Sequence, residues 1–215
     1  MVVKSGMDGM VAVETRKRTR LAPEVRRAQI LDEAARLILE EGLTAVSMER
    51  LGRESSVSKA LVYNYFPSRE ILLAALLHRE QADIDSRGAE RALEAKSYEE
   101  LIRHTTRVYL EHTMARGALI QALLADPSVV KLMEAKSAAA LERTIRYFVK
   151  QTRREYGISL PVAIAAMDMF TALTDRAGKQ VAEGRNDIDT AEMMVVEIIT
   201  GGLRKLADKT LRPHD

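Results

Sequence analysis

Between Ser47 and Arg69 the chain reads SMERLGRESSVSKALVYNYFPSR, and this run holds the side chains best placed to do chemistry. Lys59, Tyr63, Asn64 and Tyr65 bring a cation, two phenols and an amide close together. Cations and phenols reach phosphate oxygens, whereas an amide reads a base edge, so the combination suits a nucleic-acid groove. Spacing assigns the inward side. Val62 and Phe66 stand four apart and face a core, which leaves Lys59, Ala60, Leu61, Tyr63 and Asn64 around the remaining surface. Ser47 and Ser58 each precede a short helical segment and read as N-caps, with Ser55, Ser56 and Val57 breaking the pattern between them.

Other constellations point elsewhere less well. His104 and His112 are eight apart, wider than the i, i+4 pairs that metals favour, so no metal site is expected. Gly178-Lys179 lacks the glycine spacing and the following Ser or Thr of a phosphate-binding loop. Glu40-Glu41 reads as a solvated helix end, and Asp168, Thr171 and Asp175 as a solvent-facing stripe. No nucleophile sits beside an evident base. The expectation is a non-enzyme with no catalytic residues and no cofactor.

The elements that position these residues follow from periodicity and breakers. Residues 1–21 are read as a flexible arm, whose Arg16, Lys17, Arg18 and Arg20 make either a solvated tail or a reach toward phosphate. Pro23 opens a first helix that runs to Glu41, with Gly42 as a left-handed stop. Short helices are expected at 47–54 and 58–65. Ser68 caps a fourth helix that reaches at least Ser86 and is weakened or ended at Gly88. A fifth runs from Tyr98 to Arg116, stopped by Gly117, and a short one covers Leu119 to Leu124. Asp126-Pro127 starts a long helix to Tyr156, and Pro161 starts another to Gly184. The last is capped by Asp189 or Thr190 and continues to Ala207. Nothing alternates with period two for long enough to make a strand. The chain is expected to be all-α, with no internal repeat.

Composition agrees. The 215 residues suffice for one or two domains with a sizeable core. Hydrophobic residues at 47% and charged residues at 30% give an ordinary globular balance. Zero Cys excludes a disulfide scaffold and a thiolate metal site. Apolar runs are far shorter than a membrane span, and Lys4, Asp8 and Glu14 interrupt any signal-peptide core, so a cytoplasmic protein without a membrane role is expected. The net charge is only +2, but its placement is informative: residues 1–78 hold 12 Lys/Arg against 10 Asp/Glu, and the remainder is balanced.

The segment resembles the DNA-binding domain of the tetracycline-repressor (TetR) family of transcriptional regulators. The matching positions are Ile30, Leu31, Ala34, Leu37, Ile38 and Gly42, then Ser47, Val57-Ser58, Tyr63-Asn64-Tyr65-Phe66 and Pro67-Ser68-Arg69-Glu70. Ser56 departs from the pattern, standing where the turn usually carries Gly, and Leu61 stands where Thr or Ser commonly meets DNA. The resemblance implies a helix-turn-helix domain at 22–67 and a helical-bundle effector-binding and dimerisation domain at 68–215. It places Ser47, Ser58, Lys59, Ala60, Leu61, Tyr63, Asn64, Tyr65 and Arg69 at a double-stranded operator. Lys59, Tyr63, Tyr65 and Arg69 are the expected phosphate contacts, and Lys59 could instead donate to guanine. Leu61 either packs on a thymine methyl or completes the core between the two short helices.

The same resemblance implies a small-molecule effector, repression and an effector pocket among the fifth to eighth helices. Tyr109, His112 and Thr113 on one helix, Tyr147 and Phe148 on another, and Met167, Phe170 and Thr174 on a third would give an apolar lining with a few hydrogen-bonding groups. Aromatics are 4% of the chain and Trp is absent, which favours an acyl or other lipophilic effector over a planar cation. Val162, Ala166, Met169, Leu173 and Ala177 form one stripe, and the final helix is apolar almost all round through Met193, Met194, Val195, Val196, Ile198 and Ile199. Such a helix needs cover on two sides, either as a central core helix or, as expected here, by pairing in a homodimer across Gly201 and Gly202. The alternative for the whole chain is a helical protein-interaction module without DNA binding.

Overall fold

Serine and aspartate caps fix where most of the helices begin. The computed structural model describes the backbone of residues 22–211 and, except at 134–138, 140, 210 and 211, their side chains. The expected basic arm at 1–21 lies outside the described residues. Among the described residues the helices are α1 (Pro23–Glu41), α2 (Met48–Glu54), α3 (Lys59–Tyr65), α4 (Arg69–Glu94), α5 (Tyr98–Leu124), α6 (Pro127–Tyr156), α7 (Leu160–Ala182) and α8 (Ile188–Leu211), with a 3-10 turn at Leu43–Ala45. Ser47, Ser58, Ser68 and Ser97 accept from the backbone N–H of Arg50, Leu61, Ile71 and Glu100, satisfying donors that a helix start leaves open. Asp126 does the same for α6, where Pro127 occupies the first turn.

Four boundaries differ from expectation. Gly88 does not end α4, which continues to Glu94. Gly117 does not end α5, and the separate helix expected at 119–124 is its last turns. An interior Gly costs only about 1 kcal/mol. Beyond Gly117, the fully buried Leu119 and Leu123 return more than that. The last helix is capped by Asp187, which accepts from Thr190 N–H at 2.8 Å, because Ile188 is already packed on the core. Gly42 has φ 88° and ψ 170°, so it ends α1 at a positive φ that favours glycine, but outside the left-handed helical well.

Two cores result. The first joins α1, α2 and α3 through Ile30, Leu31, Leu37, Leu51, Val62 and Phe66 to Leu72, Leu73, Leu76 and Leu77 of α4. It is closed by Leu119 and Leu123 of α5 and by Val129 and Met133 of α6, so it crosses the expected boundary at 67/68. The second packs α5 to α8 around Leu110, Ala163, Val195, Val196 and Leu203. Helix α4 touches α1, α5 and α6, and thereby ties the two cores together.

The α7 stripe divides. Ala166 and Ala177 are buried, whereas Val162 and Met169 are exposed and share a face with the exposed Ala165 and Ala172 at i, i+3, i+7 and i+10. In α8, Val195, Val196, Ile199 and Leu203 are buried, and Met194 and Ile198 are exposed at i, i+4, followed by the exposed Gly201 and Gly202. The final helix is therefore apolar on two sides, only one of which its own chain covers.

Candidate nucleic-acid interface

The α2–α3 unit is held by a close backbone approach. A Cβ at Gly52 would lie 3.1 Å from Val57 O and 3.2 Å from Lys59 N, so a side chain there would push the turn away. Gly52 O accepts from Val57 N–H at 2.8 Å. Ser56 takes φ 53°, carrying its Cβ in the left-handed conformation that the turn demands, at a small cost relative to Gly. Val62 and Phe66 are buried, and Arg27 of α1 stacks over the Phe66 ring with its guanidinium carbon 5.0 Å from the centroid.

This leaves one continuous polar surface. Lys59, Ala60, Tyr63 and Asn64 are exposed on α3. Tyr65 is partly buried against the first core, whereas Leu61 is partly buried outside it. Ser47 and Ser58 sit at the helix starts with their oxygens on backbone N–H groups. Lys59 Nζ lies 3.5 Å from the Glu49 carboxylate of α2. Arg50 forms a two-pronged pair with Glu41, whose hydrogen bonds hold the Glu41 carboxyl below its ordinary range against the opposing effect of desolvation.

Arg69 faces the other way. Its Nε donates to Val46 O at 2.9 Å and another guanidinium nitrogen to Leu43 O at 2.8 Å, while the third lies 3.4 Å from Asp126. The expected phosphate contact is thus engaged within the chain, where it braces the α1–α2 connection against the start of α6.

Of the expected effector-binding side chains, Tyr109, Phe148, Met167 and Phe170 belong to the second core, whereas His112 turns toward α4. Tyr109 and Thr113 meet Gly178 of α7 so closely that a Cβ there would be 3.0 Å from Tyr109 Cε1 and 3.2 Å from Thr113 Cγ2. Tyr109 also donates to Asp175 at 3.1 Å, and burial first, with that carboxylate second, pushes its hydroxyl up to about 12. His112 faces α4 instead, buried with Nδ1 3.6 Å from Asp83, and desolvation holds its ring below the usual pKa. Met167 lies near Thr152, whose hydroxyl donates to Phe148 O and meets Tyr98 Oη at 2.7 Å. Phe170 and Thr174 are partly buried on α7, and Thr174 back-bonds to Phe170 O. Tyr147 is 40% exposed and stacks edge-on against Phe148.

Residues 30–76 match the model of the bacterial regulatory proteins of the tetR family. The chain is 40% identical over 67 residues to the HTH-type transcriptional repressor KstR of Rhodococcus jostii, covering 31% of this chain and 32% of that protein. It is 43% identical over 53 residues to the HTH-type transcriptional regulator BetI of Rhizobium meliloti, covering 25% and 26%. A TetR-like transcriptional regulator from Rhodococcus sp. superposes with a TM-score of 0.69 at 20% identity, over 86% of this chain and 98% of that one. The segment 30–76 carries the tetR-family signature.

The matched segment 30–76 takes in the helix-turn-helix of α2 and α3. The matched segments span about a third of those relatives or less, and for the remainder the solved structure shows the fold alone. Sequence reading missed the buried Glu80, Tyr98 and Thr152. Glu80 has a signal, since it continues the apolar stripe Leu73, Leu76 and Leu77 at i+7. It is 4% exposed and receives two hydrogen bonds from Arg116, at 2.7 and 2.8 Å. Arg79 lies 3.3 Å from the same carboxylate and reaches Asp32 of α1 at 2.6 Å. Tyr98 and Thr152 carry no such signal, because each reads singly as an ordinary helix residue. Among the described residues no three His, Asp or Glu side chains are grouped to hold a metal ion, and no single helix is long and apolar enough to cross a membrane.

Proposed function

We propose that this chain is a cytoplasmic repressor that binds a two-fold symmetric operator as a homodimer and leaves it when a small lipophilic effector binds among α5 to α8. The observation that carries the DNA reading is the exposed set Lys59, Tyr63 and Asn64 on a helix whose opposite side is locked by Val62 and Phe66. Two-fold pairing through the exposed sides of α7 and α8 would set two α3 helices about one DNA turn, 34–36 Å, apart. The second core supplies the apolar surroundings for an effector, with Tyr98, Thr152 and Tyr109 as its polar groups. A coupling of about 1–3 kcal/mol between the two sites would suffice for a switch.

The test is a mobility shift with the intergenic DNA upstream of the chain's own gene, repeated at graded salt. The wild type should retard this DNA, and an interaction module without DNA binding would not. Lys59→Gln should weaken binding to every sequence and flatten the salt dependence by about 0.9 in slope, the value of one phosphate contact. An unchanged slope would mean that Lys59 does not hold a phosphate.

Leu61 is tested by Leu61→Thr. Its position outside the first core supports a thymine-methyl contact. The expected result is altered preference at one base pair, worth about 1–3 kcal/mol of discrimination, with the melting temperature kept. A lower melting temperature with unchanged base preference would assign Leu61 to the core.

A further inference from the structure

We propose that Glu49 is a specificity-determining residue, which weakens binding to DNA in general and is relieved only where the operator offers its carboxylate a donor. The inference rests on the DNA-binding reading of α3. Helix α3, KALVYNY, carries a single cation, Lys59, and no acid. Glu49, in the first turn of α2, lies beside it with 3.5 Å between Nζ and the carboxylate, and the two side chains are 56% and 75% exposed. A pair this open is weakly held, so the dense charge of a duplex displaces it readily.

Displacement has a consequence for the partner left behind. Once Lys59 turns to a phosphate or a guanine, Glu49 stands unpaired a few ångströms from the DNA. Arg50, next in sequence, is held in a two-pronged pair with Glu41, so it does not turn to Glu49. Against most sequences the carboxylate then meets phosphate and base acceptors and repels them. Against a cytosine, the N4 amino group in the major groove donates to it. The penalty is uniform and the relief is local, which is how a repulsive group raises discrimination without strengthening the correct complex.

The experiment compares Glu49→Gln with the wild type on two duplexes of equal length, the operator and a random sequence, at one salt concentration. Glutamine keeps the shape and removes the charge. The variant should bind the random duplex about fivefold more tightly, the scale of one contact-distance charge pair in water, while operator affinity changes less than twofold. In a Lys59→Gln background the gain should shrink, because the two residues act through one pair. An equal gain on both duplexes, no gain on the random duplex, or a gain undiminished by Lys59→Gln would overturn the proposal. Failure of the wild type to bind either duplex would instead remove the DNA-binding reading beneath it.

Discussion

Ile198→Arg is expected to give a folded chain that sediments as a monomer under conditions where the wild type is a dimer. Ile198 is 49% exposed in the single chain, and it follows Met194 and precedes Gly201 and Gly202 on the side of α8 that its own core leaves open. An arginine there keeps its charge in water while the chain is alone. In a two-fold interface it would be buried without a partner, and twice, since symmetry repeats every substitution. A cost of about 4 kcal/mol would raise the dissociation constant about a thousandfold. Cooperative melting should survive, because Val195, Val196, Ile199 and Leu203 hold the other side of the helix. Sedimentation velocity at micromolar concentration decides the matter: a variant that stays dimeric, or a wild type that is already monomeric, would show that this face is not the interface.

Arg116→Met should destabilise the fold by roughly 3 kcal/mol at neutral pH, the lower end for breaking a buried pair, because Arg79 remains beside Glu80. Burial pushes the Glu80 carboxyl upward, but its hydrogen bonds and charge pairing with Arg116 and Arg79 outweigh this and leave it below the usual range. A depressed carboxyl contributes stability at neutral pH that is lost as pH falls through its folded-state value. In the variant the upward push of burial has less to oppose it, so Glu80 takes up a proton at higher pH and the penalty is relieved. The stability difference between wild type and variant should therefore shrink between pH 7 and pH 4. Urea titrations across that interval measure it, and a pH-independent difference would assign the loss to side-chain packing alone.

Much of this molecule is legible in its residues because the signals are local. Ser47, Ser58, Ser68 and Asp126 announce helix starts through hydrogen bonds made within three residues, and Val62 and Phe66 announce the inner side of α3 through their spacing. What was missed is long-range. Gly88 and Gly117 read as stops because propensity alone decides an isolated helix, whereas neighbouring helices hold α4 and α5 straight through them. Arg69 reads as a DNA contact from its place after α3. Only the fold reveals that Leu43 and Val46 present carbonyls to it and that Asp126, far along the chain, approaches. The α7 stripe failed for a similar reason: spacing gives a face but not which neighbour covers it.

The first core also bears on how such regulators can be recombined. The stretch that matches the family, 30–76, stops within α4, one residue before Leu77 and well before Leu119, Leu123, Val129 and Met133. The unit that recurs between proteins is therefore smaller than the unit that packs. A chimera that takes this stretch from one regulator and the remainder from another would set one parent's Ile30, Leu51 and Phe66 against the other parent's closing side chains. Its survival would depend on whether those few volumes fit, and grafts that carry the five closing positions along with the recognition helix should be tolerated more often than grafts cut at the motif's edge.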